Sequence, residues 1–280
     1  MKKLLSLMLA IILAFTLTAC SNDEAKNENP NEAEGAKEFR VGLECNYAPF
    51  NWTQSEETED SVPIPSGGYA DGYDVQIAKK IAEGLGRELV IVKTEWDGLT
   101  PAVNSGKIDA IIAGMSPTAE RALTIDFTDP YYESDLVVVV KKDGAYANAK
   151  SLEDFANSKI TGQLNTFHYS VIDQIPNVKK QNALENFPAM IVALESGKID
   201  GYVSERPGAV SAVASNPDLT FVSFEEGNGF EASPEDVAIA VGLKKDSEFK
   251  EQINEILKGI SEEERQTLMD EAVANQPLQQ

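Results

Sequence analysis

Residues 101–110 read PAVNSGKIDA, and residues 191–201 read IVALESGKIDG. In each copy a helix-forming segment runs into a glycine and then into an apolar run, which is the pattern of a helix, a glycine cap and a buried strand. The repeat of Ser-Gly-Lys-Ile-Asp at 105–109 and 196–200 therefore indicates two lobes of similar topology. A chance match stays open as the alternative, because helix-to-strand junctions use few residue types.

Short β-branched runs alternate with helical segments around this repeat. The first elements are predicted at 39–43, 73–84, 89–92, 99–105 and 108–113. A second series begins at Lys159, and the apolar runs 136–140 and 237–243 beside it are predicted to pair as they cross between the lobes. The alternation predicts an α/β fold with mixed, mostly parallel sheets.

The same pattern gives the predicted division of the chain. Lobe 1 is predicted to comprise 39–133 and 237–280, and lobe 2 to comprise 136–233. One or two amphipathic helices within 248–272 are predicted to cover lobe 1 after the chain returns to it.

The composition excludes several classes of protein. The 280 residues contain 46 acids against 24 Lys and Arg, a net charge of -22, so no nucleic-acid partner is expected. Two cysteines and one histidine allow neither a disulfide framework nor a Cys/His zinc cluster. No metal or cofactor is expected, and nothing in the sequence points to a form larger than a monomer.

Residues 1–19 have the features of an export signal. Lys2 and Lys3 precede an uncharged run at 4–17, shorter than the roughly 20 residues that a spanning helix needs. The end of this run resembles the lipobox of bacterial lipoproteins, which implies lipidation of Cys20. An ordinary secretory signal that happens to end in cysteine is the alternative.

The following segment, 20–38, contains almost no residues that could form a core. It is predicted to be a disordered tether, so the folded body would lie outside the cell at the membrane's outer face. With Cys20 lipidated, Cys45 has no partner, and a buried small residue is favoured over a reactive thiol.

A candidate carboxylate site follows the strand predicted at 108–113. Ser116 and Pro117 predict the start of a helix, whose free N–H groups would act together with the Arg121 guanidinium. The alternative is a capped helix with Arg121 paired on the surface to Glu120 or Asp126.

A candidate ammonium site is predicted on the second lobe. Glu205 follows the strand predicted at 199–203, where side chains should face a cleft between the lobes; a surface pair with Arg206 is the alternative. Tyr47 and Trp96 also lie just past strand ends, although such aromatic residues more often belong to the core. His168 is the only histidine and no catalytic set is recognisable, so no enzyme is predicted.

Several motifs in this order resemble the family 3 solute-binding proteins, the extracellular receptors of bacterial polar amino-acid ABC transporters. They are YAPF at 47–50, GYDVQIA at 72–78, WDGL at 96–99, GKID at 106–109, MSPT at 115–118 followed by Glu120 and Arg121, and DFTDPYY at 126–132. The resemblance covers about 39–272. It implies a two-lobe periplasmic-binding-protein-like fold of type II, in which two crossing strands act as a hinge and the lobes close around an amino acid.

The resemblance also implies roles for individual residues. In that family the residue matching Arg121 binds the ligand α-carboxylate, helped by the hydroxyl matching Ser116 and by backbone N–H groups near Gly114 and Thr166. The acid matching Glu205 holds the α-ammonium group. A permease and ATPase subunits in the membrane are the implied partners.

Side-chain recognition is implied for a second group of residues. Residues matching Tyr47 and Trp96 enclose the ligand side chain, and acids matching Glu44 and Asp74 contact cationic side chains in some relatives. Trp96 and Phe167 could also stack on a guanidinium group. A basic or other polar L-amino acid is therefore favoured.

The chain departs from the family pattern at several positions. Glu205 stands where Asp is usual, Asn165 where Gly is common, and Phe167 where a small hydroxyl residue is common, so a relative's specificity cannot be copied. The acidic stretch at 53–69 is longer than the family loop and is either a lid or a solvated insertion. Cyclohexadienyl dehydratases resemble the same family, and a dehydratase-like enzyme is the alternative function.

Overall fold

Two mixed β-sheets form the framework of the chain in the computed structural model, which describes residues 37–277. The strands are β1 (Glu38–Leu43), β2 (Asn46–Tyr47), β3 (Asn51–Gln54), β4 (Val62–Pro63), β5 (Tyr69–Asp71), β6 (Glu88–Lys93), β7 (Ala110–Ile111), β8 (Asp126–Glu133), β9 (Leu136–Lys141), β10 (Ile160–Thr161), β11 (Gly201–Glu205), β12 (Leu219–Val222) and β13 (Ala238–Leu243). The helices are α1 (Tyr73–Gly84), α2 (Trp96–Ser105), α3 (Phe167–Ser170), α4 (Phe187–Glu195), α5 (Arg206–Ser215), α6 (Pro234–Val237), α7 (Phe249–Lys258) and α8 (Glu262–Asn275). Single 3-10 turns lie at Arg121–Leu123, Leu152–Phe155 and Val171–Gln174.

The first sheet has the strand order β6-β1-β7-β13-β8, and the second has the order β10-β11-β9-β12. In the first sheet β1 pairs in parallel with β6 and β7, whereas β13 is antiparallel to β7 and β8. In the second sheet only β10 and β11 are parallel. Both sheets are therefore mixed, with more antiparallel pairing than the sequence suggests. We call the residues around the first sheet lobe 1 and those around the second sheet lobe 2.

The predicted pairing of the runs 136–140 and 237–243 is wrong. The first run forms β9 between β11 and β12, and the second forms β13 between β7 and β8. The chain crosses between the sheets at Ser134 and Asp135, where the Ser134 N–H donates to the Val237 carbonyl at 3.1 Å. Both runs are buried on both faces, so their sequences carry no alternation that could have identified their partners.

The repeated pentapeptide forms the same junction in both lobes. Its glycine has a positive φ in each copy, 76° and 73°, a conformation that other residues rarely adopt. Its aspartate reaches the neighbouring strand: Asp109 accepts from the Arg40 N–H and Asp200 from the Lys159 N–H, each at 2.8 Å. The repeat of the pentapeptide is therefore not a chance match, because its aspartate makes the same kind of hydrogen bond in each lobe.

The C-terminal segment forms two helices, as predicted, but it contacts both lobes. Helix α7 packs on β8 and α1, and α8 packs on α1 and also on α5. The Ser211 hydroxyl of α5 hydrogen-bonds with Gln276, just past the end of α8. The segment around Gln276 thus links the C-terminal helices to lobe 2.

The acidic stretch at 53–69 contributes to a third, antiparallel sheet of order β2-β3-β5-β4. Its loop lies along α1, where Lys79 Nζ donates to the carbonyls of Glu59 and Asp60 at 3.3 and 3.1 Å. All of 53–69 lies in the described part of the chain, and none of it lines the cleft cavity described below. These contacts favour the solvated insertion over the lid.

The predicted signal peptide, Cys20 and the tether up to residue 36 lie outside the described residues. Glu38, which the sequence assigned to the tether, is the first residue of β1 and pairs with Glu88. Within 37–277, no helix combines the length and apolar character needed to cross a membrane.

Candidate functional site

A small cavity lies where the segments following β1, β7, β10 and β11 meet between the lobes. It is lined by Tyr47, Trp96, Gly114, Ser116, Arg121, Gln163, Thr166, Phe167, His168 and Glu205. The sequence predicts all of these as ligand-binding residues except Gln163 and His168. The cavity measures about 10 Å³, so side chains of the two lobes meet directly across the cleft.

The helix predicted from Ser116 and Pro117 does not form. Residues 112–118 are irregular, and the only helical residues that follow are the three of Arg121–Leu123. Strand β8 then begins at Asp126. Ser116 is therefore not a helix N-cap; its carbonyl instead accepts a hydrogen bond from Arg121 Nη1 at 2.9 Å.

Arg121 bridges the lobes without an acidic partner. Its Nη2 donates to the Asn165 carbonyl of lobe 2 at 3.1 Å, and its guanidinium carbon lies 5.0 Å from the centre of the Trp96 ring. Among the described residues it forms no salt bridge, and Asp126 pairs with Lys245 at 2.8 Å instead. Burial lowers the pKa of Arg121 to about 10, so the group is still a cation at neutral pH. A carboxylate would supply the missing counter-charge in a bidentate geometry.

Glu205 ends β11, lines the cavity and is 3 % exposed. The Tyr47 hydroxyl of lobe 1 donates to its Oε2, and His168 Nε2 lies 2.9 Å from its Oε1. Arg206 does not pair with Glu205, since it binds Asp135 through two hydrogen bonds of 2.7 and 2.5 Å. Glu205 is thus held by hydrogen-bonding groups and has no cation beside it.

Burial sets the charge of this pair of side chains. It raises the pKa of Glu205 to about 8 and lowers the pKa of His168 to about 3. The positive charge of the nearby Arg121 also lowers the pKa of His168. At neutral pH both groups are mostly uncharged, and their contact is a hydrogen bond between neutral partners. An ammonium group beside Glu205 would favour the ionised carboxylate.

Tyr47 connects the cleft to the interior of lobe 2. Its ring stacks on Phe187 with a centroid distance of 4.1 Å and an angle of 9°. Gly114 makes room for it, because a Cβ at this position would lie 2.9 Å from Tyr47 Cε1 and the backbone φ is 60°. The approach of the Tyr47 ring thus explains why glycine stands at position 114.

The two remaining predicted acids lie outside the cavity. Glu44 is buried behind Gln163, whose Nε2 lies 3.3 and 3.4 Å from its two carboxylate oxygens, and burial raises the pKa of Glu44 to about 7. Asp74 lies within lobe 1, where it accepts from Asn51 Nδ2 at 2.8 Å and from the Tyr131 hydroxyl at 2.6 Å. The placement of Asp74 differs from the expectation, because its carboxylate oxygens are already used inside the core.

A larger cavity of about 560 Å³ opens beside Arg121. It shares Trp96, Arg121, Thr166 and Phe167 with the small cavity, so the two lie side by side. Three acids also line it: Asp97, Glu120 and Asp236.

The sequence analysis missed Gln163 and Phe187, and it named Asn165 only as a departure from the family pattern. Gln163 and Asn165 follow β10 just as Glu205 ends β11, so their place after a strand was a usable signal. Phe187 opens α4 with Pro188 behind it, and nothing in that pattern distinguishes a residue that stacks on the cleft from an ordinary core residue.

The buried pair gives a pH-dependent stability that can be measured. The pKa of Glu205 is about 8 in the folded state against its ordinary 4.5, so between these values the folded state binds more protons than the unfolded state. The stability that protonated Glu205 contributes is therefore lost as pH rises from 4.5 to 8. His168 has a pKa of about 3 in the folded state against its ordinary 6.5, so its contribution to stability grows as pH rises from 3 to 6.5. Above about pH 6.5 this contribution is constant. Relative to Glu205→Gln, the ligand-free protein should lose about 1–2 kcal/mol between pH 6.5 and 8 in urea unfolding. Parallel stability curves for the two proteins would contradict this.

The chain is similar to a family of known proteins and to individual members of it. The model of the bacterial extracellular solute-binding proteins, family 3, matches residues 39–272. A probable histidine-binding protein from Campylobacter jejuni is 35% identical over 82% of this chain and 85% of its own length. An arginine-binding extracellular protein, ArtP, from Bacillus subtilis is 27% identical over 92% of both chains.

A solved structure is also similar. It is an amino-acid ABC transporter substrate-binding protein, AbpA, from Streptococcus pneumoniae bound to L-arginine, with a TM-score of 0.70 and 28% identity over 85% of this chain and 94% of that one. The type of fold expected from the sequence is confirmed by this likeness. All three relatives are named as binding proteins and none as an enzyme, in agreement with the prediction that the chain is not an enzyme.

Proposed function

Because the chain belongs to the family 3 bacterial extracellular solute-binding proteins, we propose that it captures an L-amino acid in its cleft and delivers it to an ABC importer. The observation that carries the proposal is the arrangement of two complementary groups in one cavity. Arg121 of lobe 1 is a cation without an acidic partner, and Glu205 of lobe 2 is a buried acid without a cation. A zwitterion supplies both missing charges.

The two ends of the amino acid would bind to different lobes. Its carboxylate would take the two guanidinium hydrogen bonds that Arg121 now gives to the carbonyls of Ser116 and Asn165. Its ammonium group would take the place of the Tyr47 hydroxyl or of His168 at Glu205, and its charge would lower the pKa of that carboxyl. Thr166 would offer its backbone N–H from the cavity wall, whereas the Gly114 N–H already donates to the Tyr131 hydroxyl at 3.3 Å.

The surroundings of Arg121 favour a cationic ligand side chain. Asp97, Glu120 and Asp236 line the larger cavity, and Trp96 and Phe167 provide aromatic faces on which a guanidinium or imidazolium can stack. The relatives named for histidine and arginine agree with a basic side chain.

We also propose that the protein is a lipid-anchored monomer with the lobe boundaries predicted from the sequence. The lipobox-like end of the signal at Cys20 and the tether after it support anchoring at the outer face of the membrane. The hinge would lie at 133–136 and before Val237, and the permease and ATPase subunits would be the partners. Fractionation of cells should place the protein with membranes, and Cys20→Ala should release it.

The function is tested by thermal unfolding of ligand-stripped protein against a panel of L-amino acids. Ligand at about a thousand times its dissociation constant should add roughly 4 kcal/mol of stability. We expect the largest shifts with arginine, lysine or histidine, and smaller ones with glutamate and aspartate. Larger shifts with the acidic amino acids would overturn the proposed specificity, and no shift with any amino acid would overturn the proposed function.

A further inference from the structure

Each of the two charged groups proposed to bind the amino acid already contacts a group from the opposite lobe. Arg121 of lobe 1 donates from Nη2 to the Asn165 carbonyl of lobe 2 at 3.1 Å. Glu205 of lobe 2 accepts from the Tyr47 hydroxyl of lobe 1. A carbonyl oxygen therefore lies at the proposed carboxylate site, and a hydroxyl donor lies at the proposed ammonium site. Two groups of the chain take the places of the two ends of an amino acid.

These contacts and a bound amino acid exclude one another. The cavity lined by both Arg121 and Glu205 measures about 10 Å³, no more than the roughly 10–15 Å³ that a single water molecule needs. An amino acid fits there only after the Tyr47 hydroxyl and the Asn165 carbonyl have withdrawn. The stronger these two contacts are, the weaker the measured binding of the amino acid becomes.

Lobe 2 is shaped to receive the Tyr47 ring. The ring stacks on Phe187 with a centroid distance of 4.1 Å, and a Cβ on Gly208 would lie only 3.2 Å from Tyr47 Cε2. Gly114 leaves room for the same ring on the lobe 1 side. The tyrosine thus contacts lobe 2 through its ring as well as through its hydroxyl at Glu205.

Tyr47, and not His168, is the group that an ammonium would replace at Glu205. His168 and Glu205 both belong to lobe 2, so their contact of 2.9 Å persists when the lobes part. The Tyr47 hydroxyl comes from lobe 1, so the parting of the lobes removes it from the carboxyl. Glu205 Oε2, which accepts from Tyr47, then becomes available to the ammonium.

Asn165 secures the second contact through its side chain. Its Nδ2 donates to Asp97 Oδ1 of lobe 1 at 2.8 Å, and Trp96 Nε1 of lobe 1 donates to its carbonyl at 3.4 Å. Its φ of 56° lies in the left-handed region, which asparagine adopts more readily than most residues. The side chain therefore holds the loop where its carbonyl meets Arg121.

We propose that Tyr47 and Asn165 set the affinity of the cleft by competing with the amino acid for its two charge sites. This inference rests on the proposed function. It gives Tyr47 a role opposite to that of a residue that only encloses the ligand, because loss of its hydroxyl strengthens binding. Asn165 acts in the same direction from lobe 2.

Tyr47→Phe keeps the stacked ring and removes the donor to Glu205. Calorimetric titration of the ligand-stripped protein with L-arginine, L-lysine and L-histidine should show an affinity about three- to tenfold higher than that of the unmodified protein. Tyr169→Phe is the matched control, because this hydroxyl donates to the Gln181 carbonyl at 3.0 Å, entirely within lobe 2. The control should leave the affinity unchanged.

Asn165→Gly removes the side-chain contact with Asp97 and supplies a residue that adopts positive φ without strain. We expect a gain in affinity of the same order, and a larger gain when it is combined with Tyr47→Phe. Asn157→Gly controls for the added flexibility of the backbone, since Asn157 is an exposed residue of lobe 2 with a φ of 66°. It should not change the affinity.

A measurement without amino acid tests the contacts separately. Small-angle X-ray scattering of the ligand-stripped protein should give a larger radius of gyration for the double variant than for the unmodified protein, because fewer contacts hold the lobes together. An unchanged radius would overturn the proposal, and so would an affinity of either single variant at or below that of the unmodified protein. If no amino acid binds the unmodified protein or any variant, the proposed function fails, and the scattering alone decides whether Tyr47 and Asn165 hold the lobes.

Discussion

Arg121→Ala is expected to abolish detectable amino-acid binding. The substitution leaves the ligand carboxylate in a cleft without a counter-charge. Breaking a buried ion pair in this way costs about 3–5 kcal/mol, or roughly two to four orders of magnitude in affinity. It also removes the hydrogen bond from lobe 1 to the Asn165 carbonyl of lobe 2. Arg121→Lys should recover only part of the affinity, because an ammonium group cannot bind a carboxylate in bidentate fashion.

Arg87→Ala provides the matched control. Arg87 also stacks on an aromatic ring, with its guanidinium carbon 4.7 Å from the centre of Phe249, and it also donates to a carbonyl, that of Glu38 at 3.1 Å. It lies on lobe 1 away from the cleft. Titration calorimetry should find native affinity for Arg87→Ala. Near-native affinity for Arg121→Ala would contradict the assignment of Arg121.

Glu205→Gln should weaken ligand binding without lowering the stability of the ligand-free protein. Glutamine keeps the shape and can still accept from the Tyr47 hydroxyl, but it cannot neutralise an ammonium group. We expect amino-acid affinity to fall by two orders of magnitude or more. The ligand-free protein should be at least as stable as the unmodified one above about pH 7, because the substitution removes a carboxyl whose pKa burial raises to about 8.

The control for Glu205→Gln is Glu226→Gln, the same change at an exposed residue of lobe 2. It should alter neither affinity nor stability measurably. A Glu205→Gln protein that binds its amino acid as tightly as the Glu226→Gln protein would exclude Glu205 as the ammonium partner.

The local elements of the fold could be predicted from the sequence, whereas strand partners could not. Helix α1 has the predicted bounds, and the pentapeptide repeat correctly indicates two similar junctions, because helix ends and glycine caps depend on neighbouring residues. The partners of β9 and β13 depend on the rest of each sheet. The prediction of a helix at Ser116 was wrong for a related reason, since the segment is arranged by contacts such as the hydrogen bond from Arg121 Nη1 to the Ser116 carbonyl.

The site was predictable to the extent that it follows strand ends. Arg121, Glu205 and the residues after β10 lie where two sheets face each other, which a topology argument can anticipate. Asp74 shows the limit of the resemblance. Its carboxylate is hydrogen-bonded by Asn51 and Tyr131 inside lobe 1, and only the three-dimensional contacts reveal that partnership.

The central claim is that Arg121 and Glu205 together recognise the two charges of an amino acid. Its most direct test is calorimetric titration of the ligand-stripped protein with an amino acid and with the matching amine that lacks the carboxylate, as in arginine against agmatine and histidine against histamine. We predict that the preferred amino acid binds and that its amine loses at least a hundredfold in affinity. An amine that binds as tightly as its amino acid would contradict the account.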